Sequence, residues 1–253
     1  MHQRRLTKFF FALFLLVAGL FPLSPEASEK PIIGVAANFI MPFNDIARVF
    51  EQKTSIRLNP IFTSTGSLYA QIRNGAPYDL FLAADQIRPA LLFREGLAEK
   101  PFIYARGKVV LWTPKKVLCS AARTWQDAVL STMVEQIGSA NPDTAPYGAA
   151  GVEALKREGL WNVIRKKMVY GQSVAQAFQY AHSRAVDASF CALSFALSTQ
   201  GREGCHFMVP EAPDVIQAAC VLKRGESNTA VRKFAEFLVS AEVAKIKKKY
   251  GYR

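Results

Sequence analysis

The chain has 253 residues and a formal net charge of +12 at pH 7, with 32 Lys and Arg against 20 Asp and Glu. Hydrophobic residues make up 50% of it, which is enough for a substantial core. This length suits two lobes of about 100 residues each or one large α/β unit. After the first 30 residues no segment is apolar enough to span a bilayer, which excludes a chain with several membrane helices.

The first 28 residues have the layout of a secretory signal. Three cations precede 13 almost entirely apolar residues, Phe9 to Phe21, and small residues follow up to Ala27. The apolar run is shorter than the roughly 20 residues that cross a bilayer as a helix. We predict a signal peptide over residues 1–27 and a periplasmic mature protein with a charge near +10. An uncleaved membrane anchor is the alternative.

Export also bears on the partners and on the cysteines. A basic protein outside the cytoplasm is not expected to bind nucleic acid, so an anionic ligand is the favoured partner. The four cysteines could pair in three ways in an oxidising compartment. Two of them lie in apolar runs and suit buried thiols equally well, and no CxxC spacing indicates a metal site. They are Cys119, Cys191, Cys205 and Cys220.

Short apolar strands alternate with amphipathic helices along the chain. In the first lobe, strands are predicted at residues 32–37, 56–62 and 78–83, and helices at 41–53, 67–74 and 87–95. A strand at 108–112 crosses into a second lobe. That lobe has predicted helices at 125–130, 149–158 and 174–182, strands at 136–140 and 188–193, and a segment at 163–170. A strand at 216–222 crosses back, and two helices follow at 228–240 and 241–250.

This alternation predicts an α/β fold with mainly parallel sheets flanked by helices. Because the chain crosses between lobes twice, lobe 1 is discontinuous and comprises residues 28–110 and 221–253. Lobe 2 comprises residues 111–220. A run of lysines, 245 and 247–249, is interpreted as the solvated face of the last helix.

Four turns at the carboxyl ends of predicted strands open directly into helices and contain no Lys or Arg. Ligands of open α/β sheets bind at such ends. A helix N-terminus offers free N–H groups and partial positive charge, so it attracts anions without a cationic side chain. Simple helix capping is the alternative for each turn taken singly. The turns are Ala37-Asn38-Phe39, Ser64-Thr65-Gly66, Pro146-Tyr147-Gly148 and Gln172-Ser173-Val174.

Two turns fall in each lobe, so they could surround a tetrahedral dianion in a cleft between the lobes. Asn38, Ser64, Thr65 and Tyr147 would add side-chain donors.

At these residues the sequence resembles the molybdate-binding proteins of bacterial ABC transporters, across nearly the whole predicted mature chain. The likeness is to the branch with an Asn-Phe first loop and an APYG turn. The matching segments are VAANF (35–39), STGSLYAQIRNGAPYDLFLAAD (64–85), YARGKVVLW (104–112), ANPDTAPYGAAGVEAL (140–155) and GQSVAQA (171–177).

The resemblance implies a two-lobe periplasmic-binding fold of the second type that captures molybdate or tungstate in its cleft. It implies delivery to the permease of an ABC importer by a monomer that is not an enzyme. Molybdenum would enter only as the oxyanion, without direct protein–metal ligands and without a cofactor. Carried over by position, the ligand contacts would be Ala37, Asn38, Thr65, Tyr147 and the backbone N–H of Val174.

The sequence departs from the better-known branch of that family at the cleft. That branch carries Ser at the position of Asn38, a small residue at that of Tyr147, and a Tyr near Ala192. In addition, Ala37 stands where a relative of the second branch has Thr. We therefore predict a variant pocket in which Asn38 and Tyr147 take over donor roles.

Three other functions remain open. The same fold could bind sulfate or phosphate, although S–O bonds are shorter than Mo–O bonds and phosphate keeps a proton that a site of donors alone repels. A hydrolase would need a nucleophile with a base in reach, and only Cys205 and His206 stand next to each other. A periplasmic sensor or a secreted adhesion module is the third.

Overall fold

The computed structural model describes residues 30–253, so the predicted signal peptide over residues 1–27 lies outside the described residues. Within that range the chain forms two five-stranded sheets, each flanked by helices. The predicted α/β fold of two lobes is confirmed. None of the helices in residues 30–253 is long and apolar enough to cross a membrane.

The first sheet combines parallel and antiparallel pairs. Its strands are β1 (Ile32–Ala36), β2 (Asn59–Thr63), β3 (Leu80–Leu82), β4 (Phe102–Gly107) and β10 (Val215–Val221), where the numbering follows the chain. They lie in the order β2-β1-β3-β10-β4. Strand β1 pairs in parallel with β2 and β3, whereas β10 is antiparallel to β3 and β4.

The second sheet repeats this arrangement. Its strands are β5 (Val109–Thr113), β6 (Ile137–Ala140), β7 (Met168–Gly171), β8 (Ala188–Ala192) and β9 (Cys205–Met208), in the order β7-β6-β8-β5-β9. Strand β6 is parallel to β7 and β8, and β5 is antiparallel to β8 and β9. In each sheet the parallel strands therefore form one side.

Helices cover the faces of both sheets. Lobe 1 carries α1 (Ile40–Thr54), α2 (Thr65–Arg73), α3 (Ile87–Arg94), α10 (Thr229–Leu238) and α11 (Ala241–Lys249), with a 3-10 turn at Ala37–Phe39 before α1. Lobe 2 carries α4 (Lys116–Ala121), α5 (Trp125–Leu130), α6 (Pro146–Arg157), α7 (Trp161–Ile164), α8 (Val174–His182) and α9 (Leu193–Ala196). Aromatic side chains fill both cores, with Phe43, Phe50 and Phe234 in contact in lobe 1.

The chain crosses between the sheets at Lys108 and between β9 and β10. All of β10, from Val215, pairs within the first sheet, whereas the sequence assigned residues up to 220 to lobe 2. The chain changes sheets in the connector between β9 and β10, which ends at Asp214. All residues after that connector therefore belong to lobe 1. Lys108 and Asp214 form an ion pair that joins the two crossings, and the hydrogen bond from Lys108 lowers the pKa of Asp214.

One disulfide bond joins α4 to β9, through Cys119 and Cys205. The other two cysteines of residues 30–253, Cys191 and Cys220, are buried thiols. Burial raises the pKa of Cys220 to about 12 and that of Cys191 further, so both stay protonated.

The lysine run at the C-terminus is not uniformly solvated. Lys247 is buried, and its Nζ donates to the carbonyl oxygens of Tyr104 at 2.6 Å and Leu238 at 3.2 Å. Burial lowers the pKa of this amine. The predicted solvated face is wrong at this position, because one turn of α11 faces the carboxyl end of α10 and strand β4. Lys249, by contrast, pairs with Asp45 at the surface.

Candidate functional site

A small cavity lies where the carboxyl ends of the parallel strands of the two sheets face each other. Its volume is about 10 Å³, far below the roughly 300–1,000 Å³ of pockets for organic ligands. A space of this size excludes an organic ligand and suits at most a small ion. Its lining residues come from both lobes and are Ala36, Ala37, Asn38, Ser64, Thr65, Ala84, Ala145, Pro146, Tyr147 and Val174.

All five predicted ligand residues lie in this lining: Ala37, Asn38, Thr65, Tyr147 and Val174. The structure thus brings the four turns together.

Each turn presents the start of a helix to the cavity. Helix α2 begins at Thr65 and α8 at Val174, and the hydroxyls of Ser64 and Ser173 cap them. Helix α6 begins at Pro146, three residues before the predicted start, and no side chain caps it. Tyr147 therefore belongs to a first helical turn whose N–H groups have no partner within the helix. The fourth start is the 3-10 turn at Ala37–Phe39.

Two hydroxyls of the lining are oriented as donors by the protein around them. The Oγ1 of Thr65 accepts from the backbone N–H of Ala84 at 2.9 Å. The phenol oxygen of Tyr147 accepts from Nε2 of Gln217 at 3.4 Å. A hydroxyl that accepts from the protein keeps its own proton for donation. Thr65 and Tyr147 are thus free to donate into the cavity.

The side chain of Asn38 has a different role from the one predicted. Its Nδ2 donates to Oε1 of Gln217 at 2.8 Å and to the hydroxyl of Tyr252 at 3.0 Å, which uses both amide hydrogens. The predicted side-chain donor to a ligand is therefore occupied within lobe 1. What the turn can present to the cavity are the backbone N–H groups of Ala37 and Asn38.

The lining residues include neither carboxylates nor cationic side chains. Burial raises the pKa of Tyr104, Tyr147 and Tyr252, and the neighbouring phenols raise that of Tyr147 further. All three phenols therefore stay neutral at physiological pH. The field in the cavity comes from hydroxyl and helix dipoles, which favour negative charge.

The lobes are in contact around the cavity. The backbone N–H of Gly66 in α2 donates to the carbonyl of Thr144 in lobe 2 at 2.8 Å. Arg88, which is paired with Asp85, donates from Nη2 to the carbonyl of Asp143 at 3.0 Å. These bonds close the cleft. The Asp143 carboxylate, the nearest acid in sequence to the third turn, is exposed and outside the lining.

A larger cavity of about 940 Å³ lies at the surface of lobe 2 and is open to solvent. Its lining mixes Lys115, Arg184, Glu135 and Asp187. Lys115 and Asp187 neutralise each other in an ion pair of 2.6 Å. Opposite charges that pair with each other form no anion site, so the small cavity between the lobes is the better candidate.

Sequence reasoning missed the residues behind the cavity: Tyr104, Ser194, Gln217 and Tyr252. Gln217 had a readable signal, because it is the polar residue in an otherwise apolar strand, IQAACV. A polar group that is buried in a strand needs hydrogen-bond partners. The sequence around Tyr252 contains no comparable signal for a position near the cavity. Residues 30–253 contain no group of three or more His, Cys, Asp or Glu that could hold a metal ion.

The chain is similar to a family of known proteins. The profile described as bacterial extracellular solute-binding protein matches residues 32–253. The chain is 37% identical over 243 residues to the molybdate-binding protein ModA of Azotobacter vinelandii, covering 94% of each chain. It is 36% identical over 241 residues to the ModA of Rhodobacter capsulatus, covering 94% of this chain and 92% of that protein.

Among solved structures, the periplasmic molybdate-binding protein of Azotobacter vinelandii matches with a TM-score of 0.83. The two are 29% identical, and the match covers 88% of this chain and 99% of the other.

Proposed function

The chain belongs to the family of bacterial extracellular solute-binding proteins, and from this premise we propose that it captures molybdate or tungstate between its lobes for an ABC importer. The observation that carries the proposal is the lining of the cavity. Four helix starts, two from each lobe, meet around a space for a small ion, and the lining holds neutral donors without a cation. The alignments with the two molybdate-binding relatives each cover 94% of this chain.

Donors of this kind favour an oxyanion that carries no proton. Hydrogen bonds to a charged group contribute about 1.5–3 kcal/mol each, so the helix N–H groups, Thr65 and Tyr147 together give strong attraction. Phosphate keeps a proton near neutral pH and needs an acceptor for it, and no carboxylate lines the cavity. Sulfate carries no proton, but its S–O bonds are shorter than the Mo–O bonds of molybdate. Donors spaced for molybdate would therefore form longer and weaker hydrogen bonds to sulfate.

Closure of the lobes explains capture and release. A dianion that lies on the helix starts of one lobe attracts those of the other, and the bonds at Gly66 and Arg88 then hold the cleft shut. Because the lining contains no cationic side chain, opening the lobes breaks no ion pair with the ligand. We propose that the permease of the importer receives the oxyanion from the opened cleft.

We also propose that the protein is periplasmic and that it does not catalyse a reaction. Residues 1–27 would direct export and be removed, which leaves a monomeric periplasmic protein. A hydrolase that uses Cys205 and His206 is disfavoured, because Cys205 is bonded to Cys119 and has no thiolate to offer. The ligand is the transported oxyanion, and neither a cofactor nor a protein–metal bond is part of the proposal.

Titration calorimetry on the protein that starts after residue 27 tests this proposal. We expect tight 1:1 binding of molybdate and tungstate, with little heat from sulfate or phosphate. The reason is that the cleft closes tightly only around an unprotonated oxyanion of the right size. Equal affinity for sulfate would contradict the molybdate assignment, and tight binding of phosphate would contradict a site of donors alone.

A further inference from the structure

We propose that Tyr252, the next-to-last residue, is a positioning residue of the oxyanion site. Its hydroxyl holds the Asn38 turn of lobe 1 against Ser194 of lobe 2 when the lobes close. Tyr252 is not part of the cavity lining, so it acts through the residues that are. The inference rests on the proposed function and deepens it.

On the side of lobe 1, the hydroxyl of Tyr252 holds Asn38 at two points. It donates to the main-chain carbonyl of Asn38 at 2.7 Å and accepts from Nδ2 of the same residue at 3.0 Å. Gln217 accepts the second Nδ2 hydrogen. With its carbonyl and its side chain both fixed, the turn has one orientation, and so do the N–H groups that it directs at the cavity.

On the side of lobe 2, the hydroxyl of Ser194 reaches the same point. Oγ of Ser194, in the first turn of α9, donates to the Asn38 carbonyl at 2.8 Å and lies 3.2 Å from the hydroxyl of Tyr252. Tyr252 thus joins Asn38, a lining residue of lobe 1, to Ser194 of lobe 2.

The tail that carries Tyr252 is fixed to lobe 1 beside the crossings. The main-chain groups of Arg253 and Arg106 exchange two hydrogen bonds of 2.7 and 3.0 Å, and the Arg253 side chain pairs with Asp214 at 3.0 Å. The Tyr252 ring packs edge-on against Phe39, with 5.2 Å between centroids. The ring would therefore stay in place after loss of the hydroxyl alone.

Replacement of the hydroxyl alone gives a clean test. Tyr252→Phe keeps the ring contact with Phe39 and removes the bonds to Asn38 and Ser194. The matched control is Tyr250→Phe, whose hydroxyl bonds to Asp45 at 2.7 Å and has no link to the cavity. We expect Tyr252→Phe to weaken molybdate binding about tenfold, mostly through faster dissociation, as the loss of a net hydrogen bond implies. The control should bind like the parent.

A second readout separates positioning from a merely structural role. In a double-mutant cycle with Ser194→Ala, the two changes should weaken binding by less than the product of their separate effects, because they remove parts of one network. A merely structural role would lower the unfolding temperature of the ligand-free protein and leave the affinity of the folded fraction unchanged. Parental affinity in Tyr252→Phe, or equal weakening in Tyr250→Phe, would overturn the inference.

The cycle is measured with whichever of molybdate, tungstate, sulfate and phosphate the parent binds most tightly. If that anion is sulfate, the proposed ligand is wrong, while loss of affinity in Tyr252→Phe still supports the inference. If molybdate binds to the parent and equally well to Tyr252→Phe, the inference alone is wrong. A parent that binds none of the four anions would overturn both.

Discussion

Replacement of Gly66 by alanine is expected to weaken oxyanion binding about a hundredfold without destabilising the ligand-free protein. A Cβ at this position would lie 2.9 Å from both Cα and the carbonyl oxygen of Thr144 in the other lobe. These are main-chain atoms that cannot rotate away, and Gly66 N–H already donates to that carbonyl. Overpacking of this kind costs about 3 kcal/mol, or about a hundredfold in affinity.

The effect should be confined to the closed state. Gly66 lies in the first turn of α2 with no positive φ, and alanine is the better helix former. With the lobes apart, Thr144 is no longer a neighbour, so the unfolding temperature without ligand should be equal to that of the parent or higher. Titration calorimetry and thermal unfolding measure the two quantities.

Gly151→Ala is the matched control for this variant. It adds the same methyl group to a helix of lobe 2, where the nearest atoms belong to Phe190 of the same lobe and lie at least 3.4 Å away. It should bind like the parent. Parental affinity in Gly66→Ala would show that the lobes do not close at Thr144 when the ligand binds.

Removal of the disulfide bond should destabilise the protein by about 4 kcal/mol and leave oxyanion binding nearly intact. Cys119 and Cys205 are 86 residues apart in sequence, and a cross-link of such a long loop restricts the unfolded chain by about that amount. The bond joins α4 to the edge strand β9, and neither element lines the cavity. The double variant Cys119→Ser, Cys205→Ser should therefore unfold at a temperature about 10 °C lower.

Reductant supplies the control for that experiment. It should lower the stability of the parent toward that of the double variant and have no effect on the double variant, whose remaining thiols are buried. A loss of less than about 1 kcal/mol, below the usual range for a native disulfide, would contradict the expectation. A large loss of affinity would instead revive a functional site at Cys205.

The sequence predicted much of the fold and the main part of the candidate site because both depend on local patterns. Apolar runs and helix starts follow from neighbouring residues, and α8 was predicted at its observed bounds, residues 174–182. The four turns meet because the carboxyl ends of parallel strands lie at one edge of a sheet. That rule needs no knowledge of side-chain contacts.

What could not be predicted depends on contacts between distant parts of the chain. The partners of the Asn38 amide, Gln217 and Tyr252, are 179 and 214 residues away. Whether an amide donates to a ligand or to its own protein depends on those partners, so the predicted donor role of Asn38 failed. Lys247 is a similar case, since its burial depends on how α11 packs on α10.

Two edge strands were also missed, for a physical reason. Strand β4, at Phe102–Gly107, contains an exposed Arg106 and an exposed Ile103, and β9 is only four residues long with a half-buried pattern. Edge strands are solvated on one side and lack the continuous apolar run of a central strand. Their pairing partners, rather than their own sequence, determine that they are strands.

We propose that four helix starts from two lobes surround one molybdate with neutral donors. The decisive experiment is a crystal structure of the protein with molybdate, in which the molybdenum is located by its anomalous scattering. We expect one molybdenum atom in the small cavity. Its oxygens should accept from Thr65, Tyr147 and the N–H groups of Ala37, Asn38 and Val174. Molybdenum at another place, or an oxyanion held there by a Lys or Arg side chain, would contradict it.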